Sequence, residues 1–99
     1  MFGNMMGKLQ EMKQQMDEIK NRLDTVKVSG EAGSGDVTVT ANGNRKITDV
    51  KIHEKLLESS RKEELEDLLT VAINRAIEQA DRVHEAEMAA SARQFLPGI

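Results

Sequence analysis

A chain of 99 residues with 38% hydrophobic side chains, 2% aromatic ones and neither Trp nor Tyr can build one small domain. Its core must come from Leu, Ile, Val, Met and Ala on few elements. The absence of cysteine excludes a disulfide framework and a thiolate zinc site, and no apolar run nears the length of a membrane span. The formal charge of −3 combines five Lys/Arg against four Asp/Glu over residues 1–27 with five against eight over residues 59–99, not the basic footprint of a typical nucleic-acid binder.

The first predicted element is a helix over about residues 4–24. Met5, Leu9, Met12, Met16, Ile19, Leu23 and Val26 follow one another at alternating steps of four and three, the spacing of a coiled-coil seam. Such a helix is roughly 30 Å long, against a radius of gyration of about 13 Å for a compact chain of this size. It reaches past any core the chain builds alone, so a homodimer is expected. The seam is rich in Met, which suits ordinary helix–helix packing and also an adaptable contact surface. Lys8, Glu11 and Lys13 interrupt the start of the chain, so it does not read as a signal peptide, and a cytoplasmic location is expected.

Three strands follow, over about residues 25–31, 36–42 and 45–53. Val37, Val39 and Ala41 alternate with Thr38 and Thr40, the period of a half-buried strand. Gly30 to Gly35 lacks a following Lys-Ser/Thr pair and leads into a strand rather than a helix, so it is a turn and not a phosphate loop. Asn42-Gly43-Asn44 is expected to supply the left-handed residues of a tight hairpin. The odd step from Ile47 to Val50 requires a bulge or strong twist in the third strand.

A second long helix is expected over about residues 61–92, followed by a short tail at about 94–99. Ser60 and Glu63 fit a capping box at its start, and Glu63, Glu64, Glu66 and Asp67 suit the positive end of the helix dipole. Ala72, Ala76 and Ala80 make a flat strip that permits close approach of a sheet or a second helix. The strip, with Val37 and Val39, is the candidate dimer interface. The predicted class is α+β: long helix, three-stranded antiparallel meander, long helix, in one domain spanning 1–99.

His53 and His84 have no ligand-spaced partners, and no serine sits in a nucleophile motif. The residues therefore give no metal site, no cofactor, no catalytic group and no small-molecule substrate. The basic residues of both helices and of the hairpin return, Arg45 and Lys46, are the remaining candidates for function. With so few aromatic side chains, nucleic-acid contact would act through phosphates and duplex shape rather than stacking.

The sequence resembles the YbaB/EbfC nucleoid-associated DNA-binding proteins of bacteria over almost its whole length. The resemblance lies in MFGNMMGKLQEMKQQM, in VSGEAGSGDVTVTANGNRKITDVKI, in ELEDLLTVAINRAIEQA and in the terminal LPG. It departs from the family after Ile52, where His53-Glu54 replaces an acidic residue and proline, and in ending at Ile99 without a longer tail. The resemblance implies an intertwined, tweezer-like homodimer that binds double-stranded DNA in the nucleoid, with little sequence specificity and effects on nucleoid organisation and gene expression. In such a dimer the protruding ends straddle the duplex, which makes Lys8, Lys13, Lys20, Arg22, Arg82 and Arg93 the candidate phosphate contacts. A competing reading is a coiled-coil protein-interaction adaptor, or a chaperone-like dimer, that uses the Met-rich seam without touching DNA.

Overall fold

The heptad spacing at the start of the chain folds into one uninterrupted helix, α1 (Phe2–Thr25), and the change of period at Val26 turns the chain into a sheet. The computed structural model describes residues 2–95, with side chains from Asn4 to Gln94. After α1 come β1 (Lys27–Ala32), β2 (Val37–Asn42) and β3 (Ile47–Ile52), two short 3-10 turns (Glu54–Leu57 and Ser59–Arg61), and α2 (Lys62–Phe95). The class is α+β, with an antiparallel meander in the order β1-β2-β3 between two long helices. The LPG segment and nearly all of the expected tail lie outside the described residues.

The sheet carries its core on one face. Val37, Val39 and Ala41 are fully buried, while Thr38 and Thr40 on the other face are half-buried. The expected bulge is present: Thr40 pairs with Asp49 and Ala41 with Ile47, which leaves Thr48 without a partner on β2. That extra residue brings Ile47 and Val50 onto the same face despite their odd separation.

α2 lies across this face. Ala72, Ala76 and Ala80 are buried against β1 and β2, with Leu65, Leu68, Leu69 and Ile73 packed around them. The approach is backbone on backbone: a Cβ at Gly30 would sit 2.3 Å from the carbonyl oxygen of Ala72 and from the amide nitrogen of Ala76. The alanine strip is therefore spent inside the chain. Ala72, Ala76, Ala80, Val37 and Val39, the candidate dimer interface, each have 0% of their surface exposed within the single chain. Of the two partners that the strip permits, sheet or helix, it meets the sheet of its own chain.

Two local expectations are corrected. Ser60 lies within the 3-10 turn Ser59–Arg61 and not ahead of α2, and no side-chain cap forms at the turn's N-cap, Glu58. The second correction is at the hairpin, where Arg45 (φ 65°) takes the left-handed conformation and neither Gly43 nor Asn44 does. The Asn42 amide donates to the Lys46 carbonyl at 2.9 Å and the Arg45 amide to the Asn42 carbonyl at 3.0 Å. These bonds close a three-residue loop, whose last position is the left-handed one. At the departure after Ile52, His53 acts as a local cap. Its Nδ1 accepts a hydrogen bond from the Lys55 amide at 3.1 Å and closes the start of the first 3-10 turn.

The hairpin tip fastens α1 to the sheet. The Gly43 amide donates to the Leu23 carbonyl (2.9 Å), and Asn44 Nδ2 donates to the Lys20 carbonyl (2.9 Å) and to Asp24 Oδ1 (2.5 Å). Of these acceptors, the Leu23 carbonyl is one that the end of a helix leaves free. A Cβ at Gly43 would come within 2.8 Å of Leu23 Cδ2 and 2.9 Å of the Leu23 carbonyl oxygen. Gly43→Val should therefore pry α1 from the sheet, at a cost of about 1–3 kcal/mol. Thermal denaturation followed by circular dichroism measures this, and limited proteolysis should cut first near Leu23.

Candidate nucleic-acid interface

Among the described residues, only the last third of α1 is packed. Ile19 and Leu23 are buried, whereas Met5, Leu9, Met12 and Met16 are 63%, 62%, 47% and 44% exposed. The far half of α2 runs beside the packed part. Met88 and His84 line one groove with Met16, Ile19 and Leu23, and Ser91 and Gln94 meet Gln15 and Glu18 in another. The paired helices form an arm: the described chain measures 68 × 23 × 18 Å, and its radius of gyration of 19.2 Å far exceeds the roughly 13 Å of a compact domain. Among the described residues, the beginning of α1 is the exposed tip of that arm.

The six candidate cations fall into three situations. Lys8, Lys13 and Lys20 are exposed on α1 and join no ion pair among the described residues. They do not share one face. Lys13 and Lys20, seven residues apart, lie on one flank of the apolar stripe, and Lys8 lies on the other. Arg22 is on the Lys8 flank but is engaged, its guanidinium paired with Glu87 of α2 and its Nε 3.2 Å from the Glu87 carboxylate. That pair latches the arm. Arg82 and Arg93 are exposed on α2, on the side of the helix opposite His84, Met88 and Ser91, which face α1. Within one chain the two basic sets do not converge.

Other cations are also committed. Arg45 pairs with Asp81 (3.2 Å), Lys55 pairs with Asp36 (2.8 Å), and Arg75 donates to the Glu31 carbonyl (2.6 Å). Lys46 stands exposed at the hairpin tip that holds the Lys20 carbonyl, and it joins no ion pair among the described residues. The sequence marks it among the basic residues of the hairpin return, outside the six candidate phosphate contacts.

Among the described residues no three His, Cys, Asp or Glu side chains gather to hold a metal ion, and no helix is long and apolar enough to cross a membrane. His84 Nδ1 is buried without a hydrogen-bond partner in the groove between the helices. That groove, of about 230 Å³, is lined by Met16, Ile19, Leu23 and Met88 and makes an apolar seam between the arm's two helices.

The fold is a small α+β core with two helices that outrun it, and exposed cations stand along the first of them. The chain belongs to the YbaB/EbfC DNA-binding family, whose model matches residues 1–95. It is 43% identical over 95 residues to a nucleoid-associated protein of Flavobacterium johnsoniae, covering 96% of this chain and 88% of that protein. It is 37% identical over 87 residues to a nucleoid-associated protein of Legionella pneumophila, covering 88% and 77% respectively. The fold matches the crystal structure of the uncharacterized protein HP0035 from Helicobacter pylori, with a TM-score of 0.78 at 24% identity over 97% of this chain and 98% of that one.

Proposed function

We propose that the protein is a non-enzymatic, nucleoid-associated DNA-binding protein. It acts in the cytoplasm as a homodimer, holds double-stranded DNA through its phosphates with little sequence preference, and serves nucleoid organisation and gene regulation. Family membership supports DNA as the partner. The observation that carries the mode of binding is the arm: Lys8 and Lys13 flank the exposed first half of α1 and Lys20 stands exposed beside its packed end, with no carboxylate paired to them among the described residues.

The net charge of −3 is unevenly placed: over residues 1–27 five Lys/Arg outnumber four Asp/Glu, and the densest acidic cluster lies elsewhere. Glu63, Glu64, Glu66 and Asp67 crowd the start of α2, whereas α1 packs beside the far end of that helix. At about 0.1 M salt the Debye length is about 10 Å, so remote carboxylates are largely screened from a duplex at the arm. With two Phe and no Trp or Tyr, the chain has few rings on which to stack bases, and the contact is electrostatic.

Two unrelated duplexes of equal length, titrated in gel shifts at low salt, should bind with midpoints within a few-fold of each other. Failure of both to shift overturns the proposal. The exposed stripe of Met5, Leu9, Met12 and Met16 favours a second reading, a protein-interaction adaptor. Binding through that stripe should barely respond to salt, whereas phosphate binding weakens steeply.

A further inference from the structure

The charges of α1 are sorted by sign around the helix. Met5, Leu9, Met12 and Met16 make the exposed apolar stripe. Over this half of the helix the stripe is bordered by Met6 and Lys13 on one side and by Lys8 and Gln15 on the other. Lys20 continues the Lys13 side. Glu11, Asp17 and Glu18 stand farther round, so among the described residues no carboxylate borders the exposed stripe. Phosphate contact accounts for the cations. It gives no use to a continuous row of bare apolar side chains lying between them, which is the mark of a contact surface. From Met5 to Met16 the row is about 16 Å long, three turns, the footprint of a short partner helix.

We infer that the occupant is an amphipathic helix of another protein, its own apolar stripe flanked by Asp and Glu, and that it excludes DNA from this arm. The docking names the partner for the adaptor reading above, and the exclusion rests on the DNA reading. A second copy of α1 does not fit. Parallel pairing sets the Lys8 side against the Lys13 side, and antiparallel pairing sets each side against itself, so cations meet cations either way. A helix with carboxylates beside its stripe meets Lys8, Lys13 and Lys20 with opposite charge, and these three join no ion pair among the described residues. Burial of the stripe carries the affinity, and the flanking charges choose the partner. Methionine at most of the contact positions lets the stripe fit apolar side chains of different shapes. The cations that receive the carboxylates are those that hold phosphates, so one arm cannot take both.

Three labelled peptides test this by fluorescence anisotropy, without DNA. The first carries Leu at both seam positions of each heptad with Glu flanking them, the second replaces the flanking Glu by Lys, and the third keeps the Glu but replaces the seam Leu by Ser. The parent should bind the first at least about tenfold more tightly than either of the others. Replacing Lys8, Lys13 and Lys20 together by Glu should invert the preference between the first two. Replacing Met5, Leu9, Met12 and Met16 together by Gln should weaken the first peptide about tenfold or more, with the helical circular dichroism kept because these side chains are exposed. The first peptide should also release a bound duplex.

Equal binding of the Leu and Ser peptides means that the arm reads charge alone and overturns the docking, as does equal binding of the Glu-flanked and Lys-flanked peptides. A parent that associates in sedimentation equilibrium through the stripe, and loses that association in the Gln variant, makes a second copy the occupant and also overturns it. A parent that shifts duplexes but ignores the first peptide overturns the docking and leaves the DNA reading intact. One that binds the peptide but no duplex does the reverse, and one that holds both at once overturns the exclusion.

Discussion

Gly30→Ala should destabilise the protein by about 3 kcal/mol or more, at the top of the range for overpacked cores, because the added methyl has nowhere to go. It would lie 2.3 Å from two backbone atoms of α2, and backbone in the middle of a helix cannot rotate aside as a side chain can. Relief requires α2 to lift from β1, which uncovers Ala72 and Ala76 and part of the packing around them. For a domain of this size the cost corresponds to a fall in melting temperature of about 12 °C or more. Gly7→Ala is the control, since nothing lies within 4 Å of a Cβ at that helical position. It should be neutral or stabilise by up to about 1 kcal/mol. Melts of both variants by circular dichroism decide the matter, and a Gly30→Ala protein that melts with the parent refutes the close approach.

The second large effect concerns DNA. Replacing Lys8, Lys13 and Lys20 together by Gln should weaken duplex binding about a hundredfold or more at low salt, equally for unrelated sequences. The secondary structure should stay intact, because none of the three pairs with a carboxylate among the described residues. Arg22→Gln should behave differently. Its guanidinium latches α1 to Glu87, and the pair is partly exposed, at 59% and 31% for the two side chains. Its loss should loosen the arm by no more than about 1 kcal/mol and cost little DNA affinity directly. Anisotropy titrations of the two proteins, each checked by circular dichroism, separate the roles. A triple variant that binds as tightly as the parent removes α1 from the interface.

Local periodicity made the elements legible. The step pattern of four and three from Met5 to Leu23 specifies a helix, the alternation at Val37–Ala41 a half-buried strand, and the Ile47–Val50 step a bulge, because each is a statement about neighbours along the chain. Contacts between distant residues carry no such mark. The pairing of Arg22 with Glu87 joins positions 65 apart, and no local spacing announces it. Ala72, Ala76 and Ala80 announce close packing but not the partner, and the partner is β1 of the same chain. A glycine inside a strand, Gly30, is the signal that could have named it. The hairpin reading went astray on loop length: with three loop residues the left-handed position falls on Arg45, and Gly43 is needed for its approach to Leu23.

Whether the arm holds DNA by its phosphates is tested most directly by the salt dependence of duplex affinity. The measurement is a plot of logarithm against logarithm, for the parent and for the Lys8, Lys13 and Lys20 to Gln variant. The parent should show a steep negative slope that is the same for two unrelated duplexes. The variant should show a slope shallower by about 0.9 for each phosphate that it no longer neutralises. A parent slope near zero, or one that the substitutions leave unchanged, would contradict phosphate binding by the arm.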